Sequence, residues 1–230
     1  MKTNILRASL HSSFVKWRSA VAMLTVMCGL GTANTTWAGV IWNNPITGTN
    51  PNTDDPYTTG QTFDANLTVS GIGRGTGITG ENANNRYNAS SWNTTSLDTT
   101  AYFTFTLTPN SGFKVNFTDF VYTGQTSPTG PTSFAFRSSV DSFASDIGSP
   151  TATGTTIDLS GVTYQDVSSA ITFRLYGWGA SGTAGTFSVN DFTFDGTVSA
   201  IPEPVNVALA IFGGIGAGVW GVRRWLARRA

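Results

Sequence analysis

The sequence predicts an all-β domain, a two-sheet sandwich, set between two end segments of different composition. Three observations predict it. Short runs between residues 39 and 200 alternate apolar and polar side chains with a period of two, and clusters of Gly, Pro, Asn, Ser and Thr separate them. No stretch between residue 39 and residue 205 carries a helical period of any length.

Residues 43–93 are rich in Asn, Thr and Gly and are expected to supply one or two outer strands and long loops. From Ala101 to Thr108, Phe103, Phe105 and Leu107 fall on one face and Tyr and Thr on the other. Pro109-Asn110-Ser111-Gly112 makes a turn, and Phe113, Val115 and Phe117 resume the alternation, so a β-hairpin is expected here. Further strands are expected at residues 134–137, 155–159, 170–176, 186–189 and 192–194. Short strands at this spacing argue for a jelly-roll-type β-sandwich. A chain of about 160 residues buries roughly 70% of its surface, enough for one real core.

The two ends read as targeting segments. Lys2, Arg7, Lys16 and Arg18 form a basic region, residues 20–30 a short apolar one, and Thr36-Trp37-Ala38 a small-x-Ala cleavage site. That is the pattern of a signal peptide over residues 1–38, with the mature chain starting near Gly39. At the other end Ile201-Pro202-Glu203-Pro204 precedes an apolar run, residues 205–222, and a basic end, residues 223–230. As a helix at ~1.5 Å per residue the run measures roughly 27 Å, close to the thickness of a hydrocarbon core. Arg223, Arg224, Arg228 and Arg229 follow it, and arginines prefer the cytoplasmic side, which leaves the domain before the run facing outward. Trp220 and Trp225 are placed as interfacial anchors.

With both ends set aside, residues 39–200 hold five basic side chains, Arg74, Arg86, Lys114, Arg137 and Arg174, and twelve acidic ones, a formal charge of −7. The neutral total of the whole chain therefore conceals an acidic domain, which argues against nucleic acid as a partner. His11 and Cys28 both lie in the signal segment, so the domain has neither residue type. No Ser-His-Asp or Cys-His site can be assembled there, and disulfides cannot hold it.

Several constellations are candidates for a function. Trp178, Tyr176 and Trp92, with Tyr164, are possible glycan contacts; Gly177 and Gly179 suggest a loop that presents Trp178 after a strand. Asp191 and Asp195, and separately Asp54-Asp55, are oxygen-rich enough to be weak calcium candidates, without the spacing of a dedicated loop. Arg137 and Arg174 occupy polar phases of strands and are expected to pair with Asp across a sheet, a ligand clamp being the alternative. Gly75-Thr76-Gly77-Ile78-Thr79-Gly80 matches G-x-G-x-x-G but has no strand–helix unit around it, so a loop is expected. Asp141 with Asp191 is the pair a carboxylate-based glycosidase would use. No catalytic residues and no cofactor are assigned.

The tail, Ile201-Pro202-Glu203-Pro204 with its apolar run and arginines, resembles the PEP-CTERM sorting signal of exported bacterial proteins. The blocks at residues 102–109, 134–141, 173–180 and 185–196 are similar to a recurrent ectodomain of such proteins, over roughly residues 41–198. The resemblance implies recognition by a membrane-embedded exosortase at Pro202, Glu203 and Pro204, with cleavage near them. It also implies a jelly-roll sandwich like those of carbohydrate-binding modules, and no assigned activity. The division expected is a signal peptide (1–38), a sandwich ectodomain (39–200) and a sorting tail (201–230). The role expected is that of a non-catalytic cell-surface or extracellular-matrix protein, held in the inner membrane until it is processed. The alternative is a carbohydrate-binding module for exopolysaccharide.

Overall fold

A computed structural model describes residues 38–202 and 204–228, with side chains beyond Pro202 described only at residues 211–215, 217–220 and 222–228. The expected signal peptide thus lies outside the described residues except for Ala38, as do Glu203 and Arg229. Eleven strands are described: β1 Gly39–Asn44, β2 Thr62–Phe63, β3 Leu67–Arg74, β4 Thr79–Gly80, β5 Tyr87–Ser90 and β6 Tyr102–Pro109 come first. There follow β7 Phe113–Thr126, β8 Ser133–Ser138, β9 Gly154–Asp158, β10 Ile171–Trp178 and β11 Phe187–Ala200, and then a helix α1, Pro204–Ala227.

The strands form two antiparallel sheets that face each other. In the first, β11 pairs along its whole length with β7, and β9 lies beyond β7. The opposite edge of β11 is shared: β5 pairs with residues 187–189 and β1 with residues 192–196, while β4 and β2 extend the sheet outside them. The second sheet has the order β3-β6-β10-β8. From β5 to β11 every strand lies in the sheet opposite its predecessor.

That alternation corrects the hairpin expected at residues 101–117. The turn is there, with the Phe113 amide donating to the Asn110 carbonyl at 3.0 Å and Gly112 at φ +82. But β6 pairs with β3 and β10, and β7 with β11 and β9, so the turn carries the chain from one sheet to the other. Both strands bear a continuous apolar face, and facing each other across the core lets each cover the other. Phe105 of β6 and Phe120 of β7 meet at 5.2 Å between ring centres.

Two further expectations change. Residues 186–189 and 192–194 are one strand, β11, because Asn190 is an extra residue in its ladder: Val189 pairs with Gly124 and Asp191 with Thr123. Such a bulge shifts the side-chain phase by one, so that Phe187 and Val189 face the core and then Phe192 and Phe194 do. Residues 43–93 supply more than outer strands. The chain there holds four whole strands, β2 to β5, and the end of β1, and all of Tyr87–Ser90 is buried.

The core is aromatic. Trp42 of β1 stacks on Phe194 at 5.5 Å, Phe120 on Phe136 at 4.6 Å, and Phe136 on Phe173 at 5.4 Å, which stitches the two sheets together. Each such ring removes on the order of 150–250 Å² from water and gains a further ~0.5–1.5 kcal/mol from ring geometry. The backbone bends closely at Gly71, φ +86, where a Cβ would lie 2.6 Å from the Tyr57 carbonyl oxygen.

The sandwich closes at Ile201, whose amide donates to the Gly112 carbonyl at 2.7 Å. In α1 every side chain that is described is exposed, including Ile211, Phe212, Ile215 and Val219. Arg224 lies 4.8 Å from the Trp220 ring. Among the described residues no helix is long and apolar enough to cross a membrane. The spanning segment expected at residues 205–222 falls in part on side chains outside the described set; the described part, from Ile211 on, is diluted by Gly213, Gly214 and Gly218 and by the arginines.

Phe194→Ala is expected to cost about 3–5 kcal/mol of stability, since the cavity would open where rings from β1, β6, β7 and β10 meet on Phe194. Gly71→Ala should destabilise as well, through positive φ and a backbone clash. Urea unfolding of both variants checks this; a loss below about 1 kcal/mol for Phe194→Ala would contradict the core described above.

Candidate functional site

On β8 and β10 the alternation that buries Phe136, Phe173 and Leu175 turns Arg137, Arg174 and Tyr176 to the outer face of the second sheet. The register places Arg174 directly opposite Arg137. Like charges in that position repel, by roughly 0.2–1 kcal/mol. Two of the domain's five basic side chains therefore meet at one point of an acidic domain.

The chain after β8 is folded over this pair. A single 3-10 turn, Ser139–Asp141, leads into Ser142 and Phe143, both in the left-handed region at φ +60 and +63. The Phe143 amide donates to the Ser138 carbonyl at 2.8 Å. The Asp141 carboxylate accepts from the amides of Ala144 and Ser145, and hydrogen bonding to Ser145 holds its pKa below the usual range. This loop lays the Phe143 ring 3.8 Å from the Arg174 guanidinium, and the Tyr102 ring lies 4.1 Å from it. Arg174 Nη1 donates to Tyr176 Oη at 3.4 Å, whereas its Nε is buried without a hydrogen-bond partner. Arg137 Nε pairs with Asp146 Oδ1 at 2.6 Å, and its Nη1 donates to the Phe143 carbonyl at 3.1 Å.

The expectation of an Asp partner thus holds for Arg137, although Asp146 comes from the loop after β8 and not from a neighbouring strand. For Arg174 it fails. Among the described residues no carboxylate pairs with it, and two aromatic rings take that place.

The aromatic platform is not formed. Trp92 is 1% exposed and packs edge-on against Phe103 and Phe187, with its Nε1 donating to the Ala89 carbonyl. Tyr176 is also 1% exposed, against Tyr102. Tyr164 packs against the core beside Phe173. Trp178, like Tyr164, is half-buried, and it is the last residue of β10, not part of a loop. Filling a sandwich of this size consumes the large rings.

The calcium candidates separate too. Asp191 and Asp195 share the outer face of the first sheet but sit four residues apart on one strand, about 13 Å. Asp191 accepts a hydrogen bond from Thr123 Oγ1. Among the described residues no group of three or more His, Cys, Asp or Glu side chains is placed to hold a metal. Asp141 belongs to the loop on the second sheet and Asp191 to the outer face of the first, so the glycosidase pair is not brought together. The G-x-G-x-x-G segment is the turn after β3 together with the short strand β4, Thr79–Gly80, where the sequence predicts a loop; a Cβ on Gly77 would lie 2.4 Å from Thr100 Oγ1, and the next described element is the strand β5.

Two polar clusters went unseen in the sequence. Arg74 Nη1 donates to Tyr87 Oη at 3.0 Å and to the Asn52 carbonyl, while Tyr87 donates to Asp55 Oδ1 at 3.0 Å. Burial, first of all, pushes the Tyr87 hydroxyl pKa far up, so it stays a neutral donor. The cluster pins the loop before β2 to β3 and β5, and it occupies Asp55, one of the calcium candidates. On the first sheet, Asp195 pairs opposite Asp119, and Asp119 opposite Asp158, which sets three carboxylates in a row across β11, β7 and β9. The Asp195 pKa is raised, by burial and then by the Asp119 charge. Neither cluster left a signal in the sequence: ladder register creates the carboxylate row, and the approach of β3, β5 and the loop before β2 creates the arginine cluster.

No known family model matches this chain, and no curated protein does.

The raised Asp195 pKa means that the folded state holds its proton more tightly than the unfolded chain, so this group's effect on stability becomes unfavourable as pH rises from the ordinary carboxylate range through the raised value. Asp195→Asn should therefore stabilise the protein at pH 7, by a few tenths to about 1 kcal/mol, and make no difference below the carboxylate range. Urea unfolding at both pH values checks the sign; a destabilised variant at pH 7 would contradict it.

Proposed function

We propose that this is an exported, non-catalytic surface or matrix protein, a jelly-roll-type sandwich carried to the envelope by a C-terminal sorting tail. One observation carries the reading. The sandwich is complete at Ile201, Pro202 is exposed just beyond it, and the helix that follows exposes apolar side chains at Ile211, Phe212, Ile215, Val219 and Val222 among its described positions. Exposed apolar side chains such as Ile211, Phe212 and Ile215 favour a non-aqueous medium, and in sequence residues 205–222 followed by arginines read as a span with the domain outside. Pro202, Glu203 and Pro204 then stand between the finished domain and the membrane surface, where an exosortase would meet them.

Two further features support it. The alternation of consecutive strands between sheets, with β5-β11-β7-β9 facing β6-β10-β8, is the order of a jelly roll. The compact unit begins at Ala38 and its first strand at Gly39, where the signal-peptide reading starts the mature chain. The carbohydrate-binding reading loses its aromatic platform, since Trp92 and Tyr176 are buried.

The intact mass of the mature protein from its host's surface is expected to end near residue 204, with or without an added group. A mass that still includes Arg229 would make the tail a permanent segment and sink the sorting assignment. In the host, Glu203→Ala should leave the uncut precursor in the membrane fraction; unchanged surface delivery would remove Glu203 from the recognised element.

A further inference from the structure

The exposed apolar side chains of the sandwich are not spread evenly over it. Among its described residues five large ones are exposed: Val40, Phe63, Val140, Val162 and Ile201. All five lie in the half from which the chain leaves for α1. In the first sheet Val40 pairs opposite Asp195, and Phe63 stands opposite Trp42, itself opposite Phe194. Val162 opens the 3-10 turn Val162–Tyr164, which the Gln165 side-chain amide, donating to the Phe117 carbonyl at 2.9 Å, ties to β7 where β7 meets Gly196. Val140 follows the end of β8, where Ser138 stands opposite Phe173, and the Phe173 ring lies 5.3 Å from that of Phe194. Each of these points is at the level of Phe194 or beyond it toward Ala200. The loops of the opposite end, which join β5 to β6, β7 to β8 and β10 to β11, expose no large apolar side chain. Single exposed valines are ordinary on a protein surface; their confinement to one end is not.

The five also stand on opposite flanks. Val40 and Phe63 belong to β1 and β2, on one side of β11, whereas Val162 adjoins β7 on the other side and Val140 follows β8, the outer strand of the second sheet. They make a collar round one end, not the compact patch that a protein partner covers. The tether points the same way. The Ile201 amide is fixed on the Gly112 carbonyl and α1 begins at Pro204. At no more than ~3.6 Å per residue, the helix starts within about 11 Å of the sandwich. A headgroup layer is itself about 5–8 Å deep.

We infer that this end of the sandwich rests on the bilayer that holds α1, with its apolar collar set among zwitterionic lipid headgroups. The lipid charge follows from the same end, which carries Asp64, Asp119, Asp141, Asp158, Asp166 and Asp195. Lys114 is there too, but Asp166 already pairs with it at 2.7 Å. Such an end is repelled by an anionic surface and tolerated by one whose outermost groups are ammonium ions. The contact keeps Pro202-Glu203-Pro204 at headgroup level, within reach of a membrane-embedded enzyme. The inference rests on the proposed reading of residues 205–222 as a span.

The test places the full chain, with Cys28→Ser, in phosphatidylcholine vesicles and gives it one fluorescently labelled cysteine at a time. Val40→Cys, Val140→Cys and Val162→Cys sample the collar, Ser181→Cys the opposite end, and Ile215→Cys the helix. All five positions are exposed or in a loop, so the fold carries the labels. Lipid bearing a nitroxide on its headgroup is expected to quench the three collar labels and spare the one at residue 181, which β11 sets about 40 Å from Ala200. Lipid bearing the nitroxide deep in its acyl chain should quench the label at residue 215. Replacing part of the phosphatidylcholine with phosphatidylglycerol should lower the quenching of the collar and leave that of residue 215 unchanged. If residue 215 is quenched and the collar is quenched no more than residue 181, the contact is overturned and the span stands. Quenching at residue 40 without quenching at residues 140 and 162 overturns the collar as well. A label at residue 215 that stays in water overturns both the contact and the span. Stronger quenching of the collar in phosphatidylglycerol overturns the zwitterionic assignment.

Discussion

Strand β11 is hydrogen-bonded on both edges over most of its length, to β7 on one side and to β5 and β1 on the other, and the rest of the domain depends on that position. It brings the last described strand against the first, β1, through residues 192–196. Through Phe187, Phe192 and Phe194 it also carries the centre of the core, and Phe194 touches rings from both sheets: Trp42, Phe117 and Phe120 on its own side, Phe105 and Phe173 on the other. A long central strand twists, and the two bulges, at Asn190 in β11 and Thr118 in β7, let the paired strands follow that twist and still direct aromatics inward on both sides of each irregularity.

The same packing holds the domain together without cysteine. Twelve of its largest side chains are under 2% exposed, and contacts among Trp, Tyr and Phe run unbroken from Trp42 to Phe136. Some buried polar groups are tied in as well, as where Tyr87 joins Arg74 to Asp55. The loss is in recognition chemistry: rings used to fill the sandwich are not free to stack on a sugar. Of the aromatics that looked suited to a ligand, Trp178 and Tyr164 keep part of their surface, and Tyr164 packs against the core beside Phe173.

The two outer faces differ in charge. On the first sheet three carboxylates stand in a row across neighbouring strands, and on the second sheet two arginines stand opposite each other. Both arrangements arise from ladder register, and both place like charges side by side, which a fold selected for stability alone would avoid. The arginine pair is additionally covered by a loop in a costly backbone conformation. The helix after Ile201 stands apart from all of this, with its described side chains exposed.

Composition and period alone determined that the domain is all-β, that it has one core, where most of its later strands lie, and that its chemistry excludes histidine and cysteine. These follow from side-chain pattern within a few residues, and Phe103, Phe105, Leu107, Phe136, Phe173 and Leu175 all point inward as their alternation requires. Only the tertiary structure decided which strand pairs with which. The turn at residues 109–112 reads the same whether it returns the chain within one sheet or passes it to the other, because turn chemistry is local and sheet membership is not. For the same reason the bulge at Asn190 reads as a strand end, the Arg174 side chain reads as half of an ion pair, and the Asp195–Asp119–Asp158 row cannot be read at all. Each depends on a residue far away in the chain being brought to within one strand spacing, and nothing in a run of neighbouring residues encodes that distance.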